Sequence, residues 1–365
     1  MSHAVFITNQ IFVASGWGNN HPLAITRQKT LLDFCTALGW LNAQNMANCE
    51  LATVETLTRF HSEDYVLAFQ KASNNLKIDA IGRTKYNLGT LENPLFDKVF
   101  ERASASVGGA IAAAKLALAG HLAFHPAGGT HHGRKEQANG FCYFNDPVFA
   151  IMTLLDAGLR RVLYVDIDAH HGDGVETAFR GDERIRLVSI HEENRWPNSG
   201  KLADNCAQIC NLPVPKAIND SEYAMLIDRI SEKYSAYEAQ AIVIVAGADC
   251  LKGDPLSTMA LSNIGFVSAI EKLLALAPVK IVLGGGGYNP WTVTRGWALS
   301  WGRLAGYEIP KSLPQNAKDI LNKLECDLID EEDVLLEWLQ SLQDEPNKKK
   351  IRSEINVIAN ELLKY

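Results

Sequence analysis

Four short runs rich in Val, Ile and Leu recur along the chain after residue 100, and they constrain the fold more than any other feature. They cover Val162–Asp168, Arg186–His191, Ala241–Ala246 and Val279–Leu283. Short apolar runs bounded by turn residues are typical of strands that are buried on both faces of a parallel sheet. The chain is therefore predicted to contain an α/β sheet of the doubly wound kind.

Helix-like stretches separate these runs and cover Pro147–Ala157, Ser221–Ala239 and Asn263–Ala277. Each strand should thus be followed by a crossover helix. Before residue 100 the pattern is weaker, and Gly82–Pro94, which contains Gly, Asn and Pro, is predicted to be a surface loop. In doubly wound sheets ligands bind beyond the carboxyl ends of the strands, so we expect the chemistry at that edge.

Composition limits the partners of the protein. The 365 residues include 35 Lys and Arg against 42 Asp and Glu, a formal net charge of −7 that disfavours direct nucleic-acid binding. No stretch approaches the roughly 18 uninterrupted apolar residues of a membrane span. Met1–Gln10 carries no leader signal, so we expect a cytoplasmic protein. Without repeats or low-complexity linkers, we predict a single domain over residues 1–365 with a helical segment from about residue 311.

The densest cluster of polar residues comes where the first run ends, and reads Asp-Ile-Asp-Ala-His-His-Gly-Asp-Gly over residues 166–174. If the chain stays extended, alternation places Asp166, Asp168 and His170 on one side, within a few ångströms of one another. Unpaired charges inside a sheet are costly, so a bound cation or counter-charges from elsewhere must compensate them. A metal ion is the favoured interpretation, and a structural hydrogen-bond cluster is the alternative.

A further carboxylate is expected at the same edge of the sheet. The run Ala241–Ala246 is followed by Gly247 and then by Asp249. A glycine beside the acid permits close approach of backbone or ligand. An Asp at such a position is often only a helix cap, but its pairing with Asp168 and His170 makes Asp249 a candidate third metal ligand.

Two glycine-rich loops carry groups that can exchange or hold protons. His131 and His132 stand in the stretch 128–133, and histidine exchanges protons near neutral pH, so the pair are candidates for acid and base. Tyr288 follows four glycines after the run Val279–Leu283. A phenol with a pKa near 10 stays protonated at neutral pH and can donate to a developing oxyanion. These glycines lack the spacing and partner residues of a nucleotide-binding loop.

The four motifs, in this order, resemble those of the zinc-dependent histone deacetylase family, in particular its bacterial members of the acetoin-utilisation type. The resemblance runs from about His21 to Gly306. It implies the arginase and deacetylase fold, a parallel sheet of about eight strands flanked by helices. It also implies a zinc-dependent hydrolase of linear amide C–N bonds. Its substrate would be an acylated lysine in a peptide or protein.

The resemblance implies a role for each site residue. The positions that match the zinc ligands are Asp168, His170 and Asp249. Those that match the catalytic set are His131, His132, Tyr288, Asp166 and Asp173, with His132 as the general base and the two aspartates as partners of the histidines. Substrate-binding positions are matched by Glu92, Gly140, Phe141, Trp196 and Leu256. A structural potassium ion, K⁺, would be held through Asp166, Asp168, His170, Ser189 and Ile190.

The chemistry of these residue types agrees with metal-assisted amide hydrolysis. A metal held by two carboxylates and one imidazole keeps open positions, polarises a carbonyl and lowers the pKa of bound water toward about 7. Such a donor set also suits Fe(II), so Zn²⁺ is expected and Fe²⁺ is the alternative. Phe141 and Trp196 would wall a narrow apolar slot that fits an acylated lysine stem.

Three other readings stay open at this point. An amidohydrolase of acetylpolyamines or other small acylated amines is favoured if Glu92, where an Asp is frequent in the family, selects cationic substrates. An arginase-like binuclear hydrolase would need bridging carboxylates where Gly172 and Gly247 stand. A non-catalytic acyl-lysine binding module would need neither the base nor the tyrosine. Arg134, after the histidine pair, is a further departure from the family pattern.

Overall fold

One sheet of eight parallel strands lies at the centre of the computed structural model, which describes residues 3–14, 16–18, 21–362 and 364. The strands in chain order are β1 (Ala4–Thr8), β2 (Met46–Asn48), β3 (Leu122–His125), β4 (Val162–Asp166), β5 (Ile185–Glu192), β6 (Ile209–Val214), β7 (Ala241–Val245) and β8 (Val279–Leu283). Across the sheet their order is β2-β1-β3-β8-β7-β4-β5-β6, and each pair of neighbours is parallel. The predicted fold class is confirmed.

Helices cover both faces of this sheet. They are α1 (Arg27–Ala37), α2 (Val54–Leu57), α3 (Glu63–Asn75), α4 (Ala80–Tyr86), α5 (Val99–Leu118), α6 (Asp146–Asp156), α7 (Asp173–Phe179), α8 (Asp220–Ser235), α9 (Asn263–Leu274), α10 (Pro290–Leu304), α11 (Gln315–Leu321), α12 (Leu336–Gln340) and α13 (Ser353–Glu361). Within the described ranges, no helix has both the length and the apolar character needed to cross a membrane.

Two separate cores follow from the alternation of side chains along each strand. In β7, Ile242 and Ile244 pack into a core with α8, α9 and α10, whereas Val243 and Val245 pack into a second core with α5 and α6. Successive strand residues point to opposite faces, so a strand that is apolar at every position needs a helical layer on each side. This explains why the strand runs in the sequence show no polar alternation.

The predicted strands correspond to β4, β5, β7 and β8, and the bounds of β8 agree in full. Four further strands were missed: β1 is apolar but short, and the other three carry a weak signal in the sequence. The strand β2 has only three residues, and β3 has four, ending in His125. At the edge of the sheet, β6 contains Asn211 and Pro213, and proline is tolerated there because an edge strand need not donate on both sides.

Two local predictions are wrong. Residues 82–86 belong to α4 and not to a loop, because Oδ1 of Asp79 caps the helix by accepting the N–H of Gly82 at 2.7 Å. The connection from β5 to β6 contains only the single 3₁₀ turn Leu202–Asp204 in place of a crossover helix. That shorter connection carries Trp196, one of the predicted substrate-binding residues.

Buried carboxylates of the helical layer hold the chain after α12 against the body of the protein. Glu222 of α8 accepts from the guanidinium of Arg352 at 2.6 and 2.7 Å. Oδ2 of Asp220 accepts the N–H of Asn347 at 2.7 Å. The segment that contains α13 therefore packs on the helical layer through charge-assisted hydrogen bonds as well as apolar contacts.

Candidate active site and metal centre

In the chain that leaves β4, each of two aspartates accepts the backbone N–H of the residue two positions further on. Oδ1 of Asp166 accepts the N–H of Asp168 at 3.2 Å, and Oδ1 of Asp168 accepts the N–H of His170 at 2.9 Å. Aspartate side chains commonly bond the backbone two residues further on in turns. The strand ends at Asp166, and the turns that follow bring Asp168 and His170 together without the fully extended chain that simple alternation assumes.

Asp249 reaches the same point from the loop after β7, the neighbour of β4. Its Oδ2 lies 2.9 Å from Nδ1 of His170, which lies 3.2 Å from Oδ1 of Asp168. The candidate ligand atoms of the three side chains all lie within 4.8 Å of one another. Two backbone amides fix the carboxylates, since Ala169 donates to Oδ1 of Asp249 at 2.9 Å and Gly286 donates to Oδ2 of Asp168 at 2.6 Å.

The two carboxylates of this triad favour a positive charge between them. All three side chains are buried. Burial lowers the pKa of His170, but the hydrogen bonds to Asp168 and Asp249 raise it further, to about 10. Burial together with the charge of Asp168 raises the pKa of Asp249 to about 6. Two buried carboxylates so close together require a cation, either a proton on the imidazole or a metal ion.

The donor set of the triad fits a transition-metal ion. Two carboxylates and one imidazole are ligands that zinc and iron sites use while keeping positions open. The surrounding chain keeps other side chains away from them. A Cβ at Gly286 would lie 2.0 Å from Oδ2 of Asp249, and one at Gly247 would lie 2.0 Å from Oδ2 of Asp168. Asp168, His170 and Asp249 can therefore hold one ion between them.

The two loop histidines each pair with a buried carboxylate. Nδ1 of His131 lies 2.7 Å from Oδ2 of Asp166, and Nδ1 of His132 lies 2.8 Å from Oδ1 of Asp173. A carboxylate can only accept, so each Nδ1 carries a proton that it donates. The Nε2 atom of His132 is left to exchange a proton with a ligand. The two rings lie side by side, with their centres 3.9 Å apart.

The protonation states of the two histidines differ. Burial lowers the pKa of His131, but the charges of Asp166 and Asp168 raise it further, to about 9. Burial and the charge of His131 lower the pKa of His132 to about 3. With no ion bound, the site thus favours a second proton on His131 and disfavours one on His132. A neutral imidazole beside a candidate metal site has the form that a general base requires.

The loop that carries the histidines is fixed by the start of α6. Nδ2 of Asn145 donates to the carbonyls of His131 and Gly133 at 3.1 and 2.9 Å. Oδ1 of Asp146 accepts the N–H of Thr130 at 2.7 Å. Sequence reasoning did not identify these two residues. The sequence Asn-Asp-Pro at residues 145–147 is a helix-start signal, but it does not tell which loop the side chains would hold.

Tyr288 is held in a similar way by residues distant in the sequence. Its N–H donates to Oδ2 of Asp254 at 2.7 Å, and Nη1 of Arg27 donates to the carbonyl of Gly285 at 2.9 Å. Burial and the charge of Asp249 raise the pKa of Tyr288 well above 10, so the phenol keeps its proton. Arg27 lies 258 positions from Gly285, and no local signal could have linked them.

His132, His170 and Tyr288 face one pocket of about 470 Å³, and every residue predicted to bind substrate lines it. The ring centre of Trp196 lies 4.6 Å from that of His132, and the ring centre of Phe141 lies 5.9 Å from that of Tyr288. The lining consists of Glu92, His132, Gly140, Phe141, His170, Glu192, Asn194, Arg195, Trp196, Lys216, Leu256 and Tyr288. The pocket thus joins aromatic walls to the candidate base and one metal ligand.

Gly140 keeps this slot open. It has a φ of +55°, and a Cβ there would lie 2.3 Å from the ring of Trp196 and 2.8 Å from that of His132. Its N–H donates to Oε1 of Glu92 at 2.7 Å, while Oε2 of Glu92 accepts from Nδ2 of Asn87 at 2.8 Å. The predicted rim acid therefore has a hydrogen bond to the protein on each of its two oxygens.

Two of the residues predicted to hold potassium, Asp168 and His170, belong to the metal triad, and the other three lie in the strands beside it. Ser189 of β5 is paired in register with Asp166 of β4, and Ile190 is fully buried next to it. Oγ of Ser189 lies 2.9 Å from Nδ1 of His191. This places the five predicted residues in two adjacent strands and the loop after β4. Potassium binding itself stays a prediction.

An eight-stranded parallel sheet carries an Asp-His-Asp triad and paired histidines at its carboxyl edge, as expected for an α/β hydrolase of the arginase and deacetylase fold. Residues 21–304 match the family model described as the histone deacetylase domain. The chain belongs to the histone deacetylase family. The predicted family is thereby confirmed, and its acetoin-utilisation subgroup stays a prediction.

Known members of the family share about a third of their residues with this chain. Histone deacetylase 1 of Homo sapiens is 33% identical over 310 residues, which cover 82% of this chain and 64% of the human protein. Histone deacetylase 1 of Oryza sativa is 34% identical over 309 residues, covering 82% and 59%. The chain thus spans less than two thirds of the length of these relatives.

The fold similarity to solved structures extends over nearly the whole chain. The crystal structure of a histone deacetylase homologue from Aquifex aeolicus superposes with a TM-score of 0.95 at 32% identity, covering 99% of this chain and 100% of the other. A homologue complexed with SAHA gives a TM-score of 0.93 at 32% identity, with the same coverage.

Proposed function

We propose that this protein is a metal-dependent deacylase that removes acetyl or other acyl groups from lysine side chains. One observation carries the proposal: a neutral histidine, a protonated tyrosine and a metal ligand, His132, Tyr288 and His170, face one pocket with aromatic walls. Membership of the histone deacetylase family supports the same reaction class. The slot between Phe141 and Trp196 suits the unbranched apolar stem of an acylated lysine.

Asp168, His170 and Asp249 would hold the ion, with zinc expected and Fe²⁺ as the alternative. When bound, the ion would polarise the acyl carbonyl and lower the pKa of a water molecule toward about 7. The buried position of the carboxylates excludes competing solvent from the triad. His131 would lie close to the ion, since its Nε2 lies 3.8 Å from Oδ1 of Asp168.

His132 and Tyr288 would handle the protons of the reaction. Because Nδ1 of His132 donates to Asp173, its Nε2 is the atom that takes a proton from the attacking water and returns one to the leaving amine. The hydroxyl of Tyr288 keeps its proton and donates a hydrogen bond to the oxyanion that forms on the acyl carbon. Phe141 and Trp196 orient the stem so that the amide enters between these groups.

Two features of the pocket mouth favour a peptide substrate over an acetylpolyamine. Each oxygen of Glu92 already accepts a hydrogen bond, from Gly140 and from Asn87, so the carboxylate is held by the protein and is less free to turn toward a cationic substrate. The exposed Lys216 lines the same pocket and would repel a polycation, whereas the charge of Arg195 is paired with that of Glu192. The polyamine reading is therefore the second candidate.

The binuclear, arginase-like reading is disfavoured by two glycines. A Cβ at Gly247 would lie 2.0 Å from Oδ2 of Asp168, and one at Gly172 would lie 2.2 Å from Oδ2 of Asp166. A bridging carboxylate at either position would require the existing aspartates to move. The non-catalytic reading does not explain why both His132 and Tyr288 face the pocket. A single-domain organisation and a cytoplasmic location remain predictions.

The proposal is tested with purified protein loaded with zinc or with iron and given an acetyl-lysine peptide, a longer acyl-lysine peptide or an acetylpolyamine. We expect acetate release from the acetyl-lysine peptide, faster than from the polyamine. His132→Ala should abolish turnover, whereas His121→Ala, at a histidine outside the pocket lining, should not change it. Equal loss in both variants, or no release from any substrate with either metal, would overturn the proposal.

A further inference from the structure

Arg134 makes a contact that the reaction described above does not use. Its Nη2 pairs with Oδ2 of Asp173, whose Oδ1 lies 2.8 Å from Nδ1 of His132. The carboxylate of Asp173, which is 4% exposed, therefore lies between a guanidinium and the imidazole of the proposed base. Each oxygen of the carboxylate has its own partner.

The second nitrogen of the same guanidinium ties Arg134 to the first turn of α7. Nη1 donates to Oγ1 of Thr177 at 3.0 Å and lies 3.4 Å from the carbonyl of Asp173. The hydroxyl of Thr177 in turn donates to that carbonyl at 2.7 Å. Arg134 thus binds the side chain of Asp173 directly, and it contacts the backbone of Asp173 both directly and through Thr177.

Within the described residues, no arginine or lysine pairs with Asp166, the partner of the other histidine. Oδ2 of Asp166 accepts from His131 and from the phenol of Tyr164 at 2.5 Å, and Oδ1 accepts the N–H of Asp168 at 3.2 Å. A phenol and a backbone amide orient the carboxylate of Asp166 but carry no formal charge. The guanidinium is therefore a specific feature of the Asp173–His132 pair.

We propose that Arg134 is a positioning residue that fixes the orientation of the His132 imidazole through Asp173. A carboxylate free on one oxygen can rotate about its Cβ–Cγ bond, and the planar fork of arginine prevents this by engaging Oδ2. Oδ1 is then held toward Nδ1, and Nε2 of His132 is aimed into the pocket. The inference rests on the proposed function only for the role of His132 as base.

A groove of about 710 Å³ provides a matched control. It is lined by Arg134 and also by Arg59, whose Nη2 pairs with Asp156 at 2.8 Å with both side chains about half exposed. Arg59 therefore carries the same charge in the same groove without touching Asp173. Replacing either arginine by methionine removes one charge and keeps a long apolar stem.

The first test compares the steady-state kinetics of the metal-loaded variants. Arg134→Met should lower kcat about tenfold or more while KM changes by less than about twofold, because a misplaced base slows the reaction without altering the slot. Arg134→Lys should recover part of the loss, since an ammonium pairs with Oδ2 but not with Thr177 at the same time. Arg59→Met should keep both constants. A full kcat in Arg134→Met, or an equal loss in Arg59→Met, overturns the inference.

The second test does not depend on turnover. Proton NMR of the metal-free protein should show a downfield signal from each imidazole Nδ1–H bonded to a carboxylate, and His132→Gln assigns one of them. In Arg134→Met the His132 signal should broaden or shift, while that of His131 stays as an internal reference. An unchanged His132 signal in folded Arg134→Met overturns the inference. If the wild-type protein released no acetate, the function proposal would fail while this test still reports on Arg134.

Discussion

Nδ1 of His170 lies 2.9 Å from Oδ2 of Asp249, although the two residues are 79 positions apart in the chain. The pairing of β4 with β7 brings them together, because parallel neighbours release their loops at the same edge of the sheet. The two buried carboxylates, Asp168 and Asp249, therefore share one site for the positive charge that compensates them.

We expect the wild-type protein to bind one transition-metal ion per chain, and Asp249→Asn to weaken binding by at least about 100-fold, because it removes a charged ligand and not merely an outer hydrogen bond. Elemental analysis after dialysis measures this. Asp220→Asn, a buried carboxylate of the helical layer outside the triad, should keep the metal in the folded protein. Two catalytic ions per chain would revive the binuclear reading.

Tyr288→Phe should retain the metal and lose about 10²- to 10³-fold in kcat, because one oxyanion donor is deleted from a buried site. Steady-state kinetics and metal content of the same preparation give both quantities. The pocket wall formed with Phe141 keeps its ring, so KM should change little. Unchanged turnover would remove Tyr288 from the mechanism.

Gly140→Ala should raise KM and lower kcat/KM by about 10- to 200-fold, the effect of one misplaced carbon in a fitted apolar pocket. The new Cβ would meet the rings of Trp196 and His132. Gly39→Ala is the matched control, since Gly39 also has a positive φ, +72°, but nothing lies within 4 Å of its Cβ. An equal loss of kcat/KM in the two variants would mean that backbone strain, and not contact of the new Cβ with the slot, lowers the activity.

Glu222 should make stability depend on pH in the acid range. Burial raises its pKa, but the hydrogen bonds from Arg352 lower it below the ordinary 4.5. The unfolded chain therefore binds the proton more readily, so the stabilisation is complete above about pH 4.5 and is lost as the pH falls through the folded-state pKa.

Urea unfolding of Glu222→Gln tests this dependence. The variant should lose about 1–3 kcal/mol of unfolding free energy at pH 7, because the buried side chain no longer offers a charged, two-oxygen acceptor to the partly exposed guanidinium of Arg352. The difference from wild type should shrink below pH 4.5. Glu354→Gln is the control, since Glu354 lies 3.4 Å from the same Arg352 but is exposed. A difference that does not vary with pH would contradict the assignment.

The residues that local sequence could predict are those that follow strongly apolar strands. Asp166 is the last residue of β4, and Asp168 and Asp249 lie two residues after β4 and four residues after β7, so the apolar runs located them at the functional edge. The strands β2 and β3 are too short to produce such a signal, and β6 is interrupted by polar and proline residues.

The residues that hold the site in place could not be found in this way. Arg27, Asp254 and Arg134 act through contacts with backbone or carboxylate groups 34 to 258 positions away. Such contacts depend on the packing of whole helices and loops and leave no local pattern. Arg134 stood out only as a departure from the family pattern, without a partner to explain it.

The fluorescence of Trp196 can report on the occupancy of the pocket. Of the seven tryptophans, all in the described part of the chain, Trp196 has the most exposed side chain, at 40%. A water-borne quencher such as iodide should therefore dim its fluorescence first, and an acyl-lysine peptide that fills the slot should shield it. Occupancy can then be titrated without labels, even in variants that no longer turn over.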